Sequence, residues 1–153
     1  MSTLTKLLHV GPCGSADDVQ ALVTAITTIF GEDTSTKDGL GLLSGAFLAL
    51  VDEMQLEGIF VPMSWLPLVR GMEECGRWTN PAHPHADDFV AALKGQPVIV
   101  ILVAITALVG SRLAEFVVES PEEANPSVLL MLETMQHFID AGMAELPAHE
   151  TRH

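Results

Sequence analysis

Residues Pro97–Glu119 read PVIVILVAITALVGSRLAEFVVE, and this stretch decides the fold. It begins with proline, runs for about four turns without a charged residue and ends in an amphipathic tail that contains Arg112, Glu115 and Glu119. A helix that is apolar on every side must be surrounded by other elements. We therefore predict a buried central helix at about residues 97–119, with the remaining helices packed around it.

A buried strand and a membrane span are the two alternatives for this stretch. Residues 98–103 are rich in β-branched side chains, but no Gly or Pro separates them from the amphipathic continuation, which favours one helix. The uncharged run between Lys94 and Arg112 has 17 residues, the lower limit for a spanning helix, and it includes Gly95 and Pro97. No aromatic belt flanks it. We therefore expect a soluble protein with no membrane partner.

The length and composition suit one folded domain. The 153 residues can bury a sizeable core, and a hydrophobic content of 48% excludes a disordered chain. We predict an all-α, single-domain bundle of five to six helices over residues 1–153, with loosely ordered ends at 1–14 and 147–153. We predict Pro97 as the first residue of the central helix. Besides this helix, the apolar periodicity and the N-cap residues Ser15, Ser64 and Asn125 predict helices at about 15–30, 37–56, 64–78, 87–94 and 125–146.

The charge balance excludes one class of partner. With 7 Lys and Arg against 20 Asp and Glu, the chain has a net charge of -13 and few cations to neutralise a phosphate backbone. We therefore expect no nucleic-acid binding. The first residues contain no apolar run long enough for a secretory signal, which favours a cytoplasmic location. Cys13 and Cys75 form neither a metal-ligand spacing nor a dense disulfide framework.

Two patterns predict an interface. Small residues recur every fourth position on the second helix, and such a stripe allows another backbone to approach closely, although glycines also occur in well-buried helices. One face of the first helix is polar but uncharged, which suits partial burial against another subunit. The predicted interface residues are Gly41, Gly45, Ala49, Gln20, Thr24 and Thr27.

The methionines provide a second candidate site. Several occupy apolar helical positions, where methionine either fills the core or lines an adaptable pocket. The candidate apolar pocket consists of Met72, Met131, Met135 and Phe138. An apolar small molecule or a haem is the corresponding ligand, although no haem-attachment motif is present.

Metal and catalytic motifs are weak. His83, His85 and Asp87 lie close together in sequence, but their spacing is not that of a closed zinc site, and a proline-rich surface loop explains them better. Ser44 and Ser111 fall within predicted helices and not in a nucleophile elbow. We predict no metal ligand, no cofactor and no catalytic residue.

These observations lead to three functional hypotheses. The first is a soluble, acidic helical interaction or assembly module without catalysis, which forms a homodimer or a subunit of a complex. The alternative is a binder of an apolar small molecule or haem. The third is a metal-dependent enzyme that uses the loop of His83, His85 and Asp87.

Overall fold

In a computed structural model of the chain, the described residues are 15–56, 58, 61, 63–80, 82–123 and 125–145. Over these residues the protein is helical and contains no strand, which confirms the predicted all-α bundle. The predicted ends, 1–14 and 147–153, lie outside the described residues. The helices are α1 (Ala16–Phe30), α2 (Thr36–Leu56), α3 (Leu66–Gly76), α4 (Ala86–Leu93), α5 (Val98–Glu119) and α6 (Pro126–Glu145), with 3₁₀ turns at Met63–Trp65 and Pro121–Glu123.

Helix α5 is the central helix. Every residue from Ile99 to Thr106 is buried, so more than two full turns are covered on all sides. The hydroxyl of Thr106 donates to the Leu102 carbonyl at 2.7 Å, which satisfies the one polar side chain in this run. The last turns reach the surface, where Val118 is 82% exposed. The prediction of a core helix that emerges at its charged end is confirmed.

The other helices pack on α5 in two groups. Helices α1, α2 and α6 contact α5 directly, and α3 lies between α2 and α6. Helices α2, α3, α6 and α5 therefore form a ring of four, each in contact with the next. The short α4 rests on α1, where the rings of Phe30 and Phe89 have centroids 5.5 Å apart.

Helix ends agree with the cap predictions at two positions and differ at two. The Ser15 hydroxyl accepts from the Asp18 amide, and the Asp18 carboxylate accepts from the Ser15 amide at 2.8 Å. Asn125 caps α6. Ser64, by contrast, caps nothing, because a 3₁₀ turn precedes α3 and takes up this residue. Pro97 precedes the first helical residue of α5 and is not within the helix.

By length and composition alone, α2 and α5 could each cross a membrane. In the most apolar window of α5, 61% of the residues are buried inside the protein, and in that of α2, 50%. Much of the apolar surface of these helices is therefore used for packing against the rest of the chain.

Candidate functional site

An apolar groove separates α2 from α4. Helix α4 has eight residues, and its Phe89 packs against Phe30 of α1. A cavity of about 350 Å³ remains and is open to solvent, with Val90 52% exposed at its side. We call it the α2–α4 groove. Its lining residues are Leu42, Gly45, Ala46, Ala49, Thr79, Ala86, Asp87, Phe89 and Val90.

The predicted small-residue stripe lies partly in this groove, and another segment of the same chain covers the rest of it. A Cβ at Gly41 would lie 2.5 Å from the carbonyl carbon and oxygen of Trp78, so the backbone of that residue lies directly on the glycine. The Thr79 hydroxyl donates to the Gly41 carbonyl at 2.7 Å and also covers Gly45. Ala49 is exposed. The close approach therefore exists within one chain, and an intermolecular interface stays a prediction for the open end at Ala49.

Trp78 holds this covering segment in place. Its ring lies 5.0 Å, between centroids, from that of Phe116 on α5. The Lys37 ammonium and the Arg77 guanidinium lie 5.0 and 5.1 Å from the ring centroid, at cation–π distances. The segment that follows α3 is thus fixed on α2 and α5, and it forms one end of the groove.

The uncharged face of α1 is not joined to this stripe. Gln20, Thr24 and Thr27 are exposed, and α1 packs on α5 and α4. The Thr27 hydroxyl donates to the Val23 carbonyl at 2.8 Å, so it is already satisfied within its own helix. A role for this face in an interface stays a prediction.

The four candidate pocket residues separate into two environments. Met72 and Met131 are fully buried and Met135 is 3% exposed, so all three fill the core. A Cβ at Gly71 would overlap the Met131 side chain, which shows how tightly α3 and α6 pack there. Phe138 instead lines a second cavity of about 300 Å³, which we call the α3–α6 cavity. Its lining residues are Ser64, Trp65, Leu68, Thr134, His137, Phe138 and Ala141.

The two loop histidines pair with carboxylates from other segments. His85 Nε2 lies 3.0 Å from Asp33 Oδ2, and His83 Nε2 lies 3.8 Å from Asp38 Oδ2. The hydrogen bond from His85 holds the pKa of Asp33 below its ordinary value. The His85 amide donates to His83 Nδ1 at 3.2 Å, so this nitrogen carries no proton in the bonded arrangement.

These pairings differ from the sequence grouping with Asp87. That carboxylate lines the α2–α4 groove, while the two imidazoles face Asp33 and Asp38. Within the part of the chain that the structure describes, no three His, Cys, Asp or Glu residues are placed to hold a metal ion. The alternative metal site is therefore not assembled there.

Cys75 is a buried thiol beside Ser44. Burial raises its pKa to about 11, against a smaller opposite effect of the Ser44 hydroxyl. The hydroxyl is itself fully buried and has no partner in hydrogen-bonding geometry among the described residues. Because the thiolate is the nucleophile, this protonated thiol is an inert part of the core.

No family model, curated protein or solved structure matches this chain. The α2–α4 groove and the α3–α6 cavity are therefore the candidate sites in the described part of the chain. Sequence analysis identified Gly45 and Ala49 of the groove but missed Val90 and Phe89. The sequence signal for Phe89 and Val90 is that two adjacent apolar side chains point to different sides of a short helix. Such a helix buries one of them and leaves the other exposed.

Proposed function

We propose that this chain is a helical interaction module that binds another protein element in the α2–α4 groove. The supporting observation is the apolar lining, which is open to solvent and has glycine and alanine on the α2 side. Removing apolar surface from water contributes about 25 cal/mol per Å², so a groove of this kind favours association. Ala46 and Ala49, whose side chains are short, also let a partner approach the α2 backbone closely.

The chemistry of the described residues supports binding over catalysis. The Cys75 thiol is protonated and enclosed by the core. His85 pairs with Asp33, which precedes α2, and His83 pairs with Asp38 in the first turn of α2. These two pairs connect the segment before α4 to the start of α2.

Site-specific photo-crosslinking tests the proposal in cells that naturally make the protein. A benzophenone amino acid at Val90 would lie at the groove, and one at Ala144, an exposed residue of α6, is the control. We expect crosslinked products from position 90 that are absent from position 144. A product with a second copy identifies a homodimer, and a product with another protein identifies a complex. Equal labelling, or none, at both positions contradicts the proposed function.

A second candidate function is supported by the α3–α6 cavity. The rings of Trp65 and Phe138 meet nearly edge to face at 5.1 Å, and Ser64, Thr134 and His137 add polar groups. Apolar walls with a few polar groups are typical of small-molecule sites, and about 300 Å³ is at the lower end of their size. Native mass spectrometry of protein from its own host tests this candidate. Protein free of bound mass and of haem absorbance would contradict it.

A further inference from the structure

The shape of the α2–α4 groove favours a helical occupant. Its α2 wall runs from Leu42 to Ala49, about 10 Å or two helical turns. Both walls are α-helices, whose backbone groups are bonded internally, so an extended peptide would find no row of main-chain partners. A helix satisfies its own backbone, and the short side chains of Ala46 and Ala49 on α2 allow it to approach closely.

The charges beside the groove favour a basic occupant. Asp52 and Glu53 follow Ala49 by three and four residues, so they continue the same face of α2, and both are exposed. Asp87 lines the groove itself, and Lys94 is the one basic residue within a turn of the lining residue Val90 on the α4 side. Lys37 and Arg77 lie on the Trp78 ring beside Gly41, so they are at the other end of the α2 wall from Asp52 and Glu53. A second copy of this chain would bring the same carboxylates and a net charge of -13 to the contact.

We infer that the α2–α4 groove receives a basic amphipathic helix of a partner protein, with its apolar stripe between the walls and its lysines or arginines beside Asp52, Glu53 and Asp87. This inference rests on the proposed interaction function and specifies the partner. The apolar stripe supplies the affinity, and the flanking charges supply the choice of partner.

A designed peptide tests the apolar part. The probe is a fluorescent peptide of about 15 residues, with leucines at i, i+3, i+4 and i+7 and lysines on both flanks. A peptide of the same composition, with the leucines scattered around the helix, is its control. Fluorescence anisotropy compares the wild type with Ala49→Arg and Ala144→Arg, two identical changes at exposed helical positions. We expect Ala49→Arg to bind the patterned peptide about tenfold more weakly, and Ala144→Arg to bind as the wild type does.

A second pair of variants tests the charges. Asp52→Asn with Glu53→Gln removes two carboxylates next to the groove, and Glu133→Gln with Asp140→Asn removes two from the exposed face of α6. At low salt we expect the first double variant to bind about two- to tenfold more weakly and the second to change less. Added salt should reduce wild-type binding and also the difference in affinity between the two double variants.

The experiments distinguish a wrong occupant from a wrong function of the groove. Equal binding of the patterned and scattered peptides, or equal weakening by Ala49→Arg and Ala144→Arg, overturns the inferred basic helix. So does a homodimer in sedimentation that Ala49→Arg dissociates, since the occupant is then a second copy. In each of these cases, crosslinking from Val90 still decides whether the groove is a docking surface.

Discussion

Replacing Gly41 with alanine tests whether the segment Trp78–Thr79 lies directly on α2. The added Cβ would lie 2.5 Å from two backbone atoms of Trp78, which a side-chain rotation cannot relieve. Gly110 of α5 is the matched control, because its Cβ would meet the flexible Met135 side chain at 3.4 Å. Both changes introduce the same residue into the interior of a helix.

The magnitudes follow from three contributions. Alanine stabilises a helix interior by about 1 kcal/mol relative to glycine, and both variants gain this. Overpacking against a backbone costs about 1–3 kcal/mol, and displacement of the segment breaks the 2.7 Å hydrogen bond from Thr79 to the Gly41 carbonyl, worth about 1 kcal/mol. Gly41→Ala should therefore lose about 1–3 kcal/mol of unfolding free energy, whereas Gly110→Ala should gain up to about 1 kcal/mol.

Urea denaturation followed by circular dichroism measures both values. We expect the two variants to differ by about 1–4 kcal/mol, and Gly41→Ala to melt about 2–12 °C below the wild type. Equal stabilities, or a Gly41→Ala variant more stable than Gly110→Ala, would refute the close contact. In that case the glycine stripe would need another explanation, such as an intermolecular one.

Three further outcomes are expected. Ile105→Asp places a carboxylate where the side chain is fully buried and should unfold the protein, while Val118→Asp, at a site 82% exposed, should leave its circular dichroism spectrum unchanged. The buried Cys75 thiol, whose pKa is raised to about 11, should react with a thiol reagent only as fast as the protein unfolds. Peptide mapping measures its labelling, and rapid labelling of Cys75 in the native protein would contradict its burial. The lowered pKa of Asp33 means that its contact with His85 stabilises the fold above the ordinary aspartate pKa and is lost as the pH falls through the lowered value. The stability gap between wild type and Asp33→Asn should therefore shrink below about pH 4, and a gap that persists in stronger acid would contradict this pairing.

The positions of the helices could be read from the sequence because their signals are local. The apolar period, the Ser15 cap and the Asn125 cap each depend on residues within one or two turns, and the structure agrees with them. The prediction that Ser64 caps α3 was wrong, because a serine before a helix has the same sequence signature whether it caps the helix or enters a 3₁₀ turn.

The candidate site was only partly predictable, because its walls come from distant segments. The glycines indicated a close approach, but nothing local to α2 identifies Trp78 as the group that makes it. Likewise, His85 reaches Asp33, 52 residues away, whereas the sequence placed Asp87 beside it. Pairings across such separations depend on how α4 packs on α1 and how the segment after α3 lies on α2, which residue spacing does not specify.

The central position of α5 has a consequence for how the protein opens. Helices α2 and α6 on one side and α1 on the other bury apolar surface against α5, so loss of either group exposes part of that helix to water. The two groups are therefore coupled, and the inner amides of α5 should exchange with solvent deuterium only through global unfolding. Helix α4 has only eight residues and packs on α1, so its amides should exchange through a much smaller local opening. The α4 wall of the groove can therefore separate while the rest of the bundle stays folded.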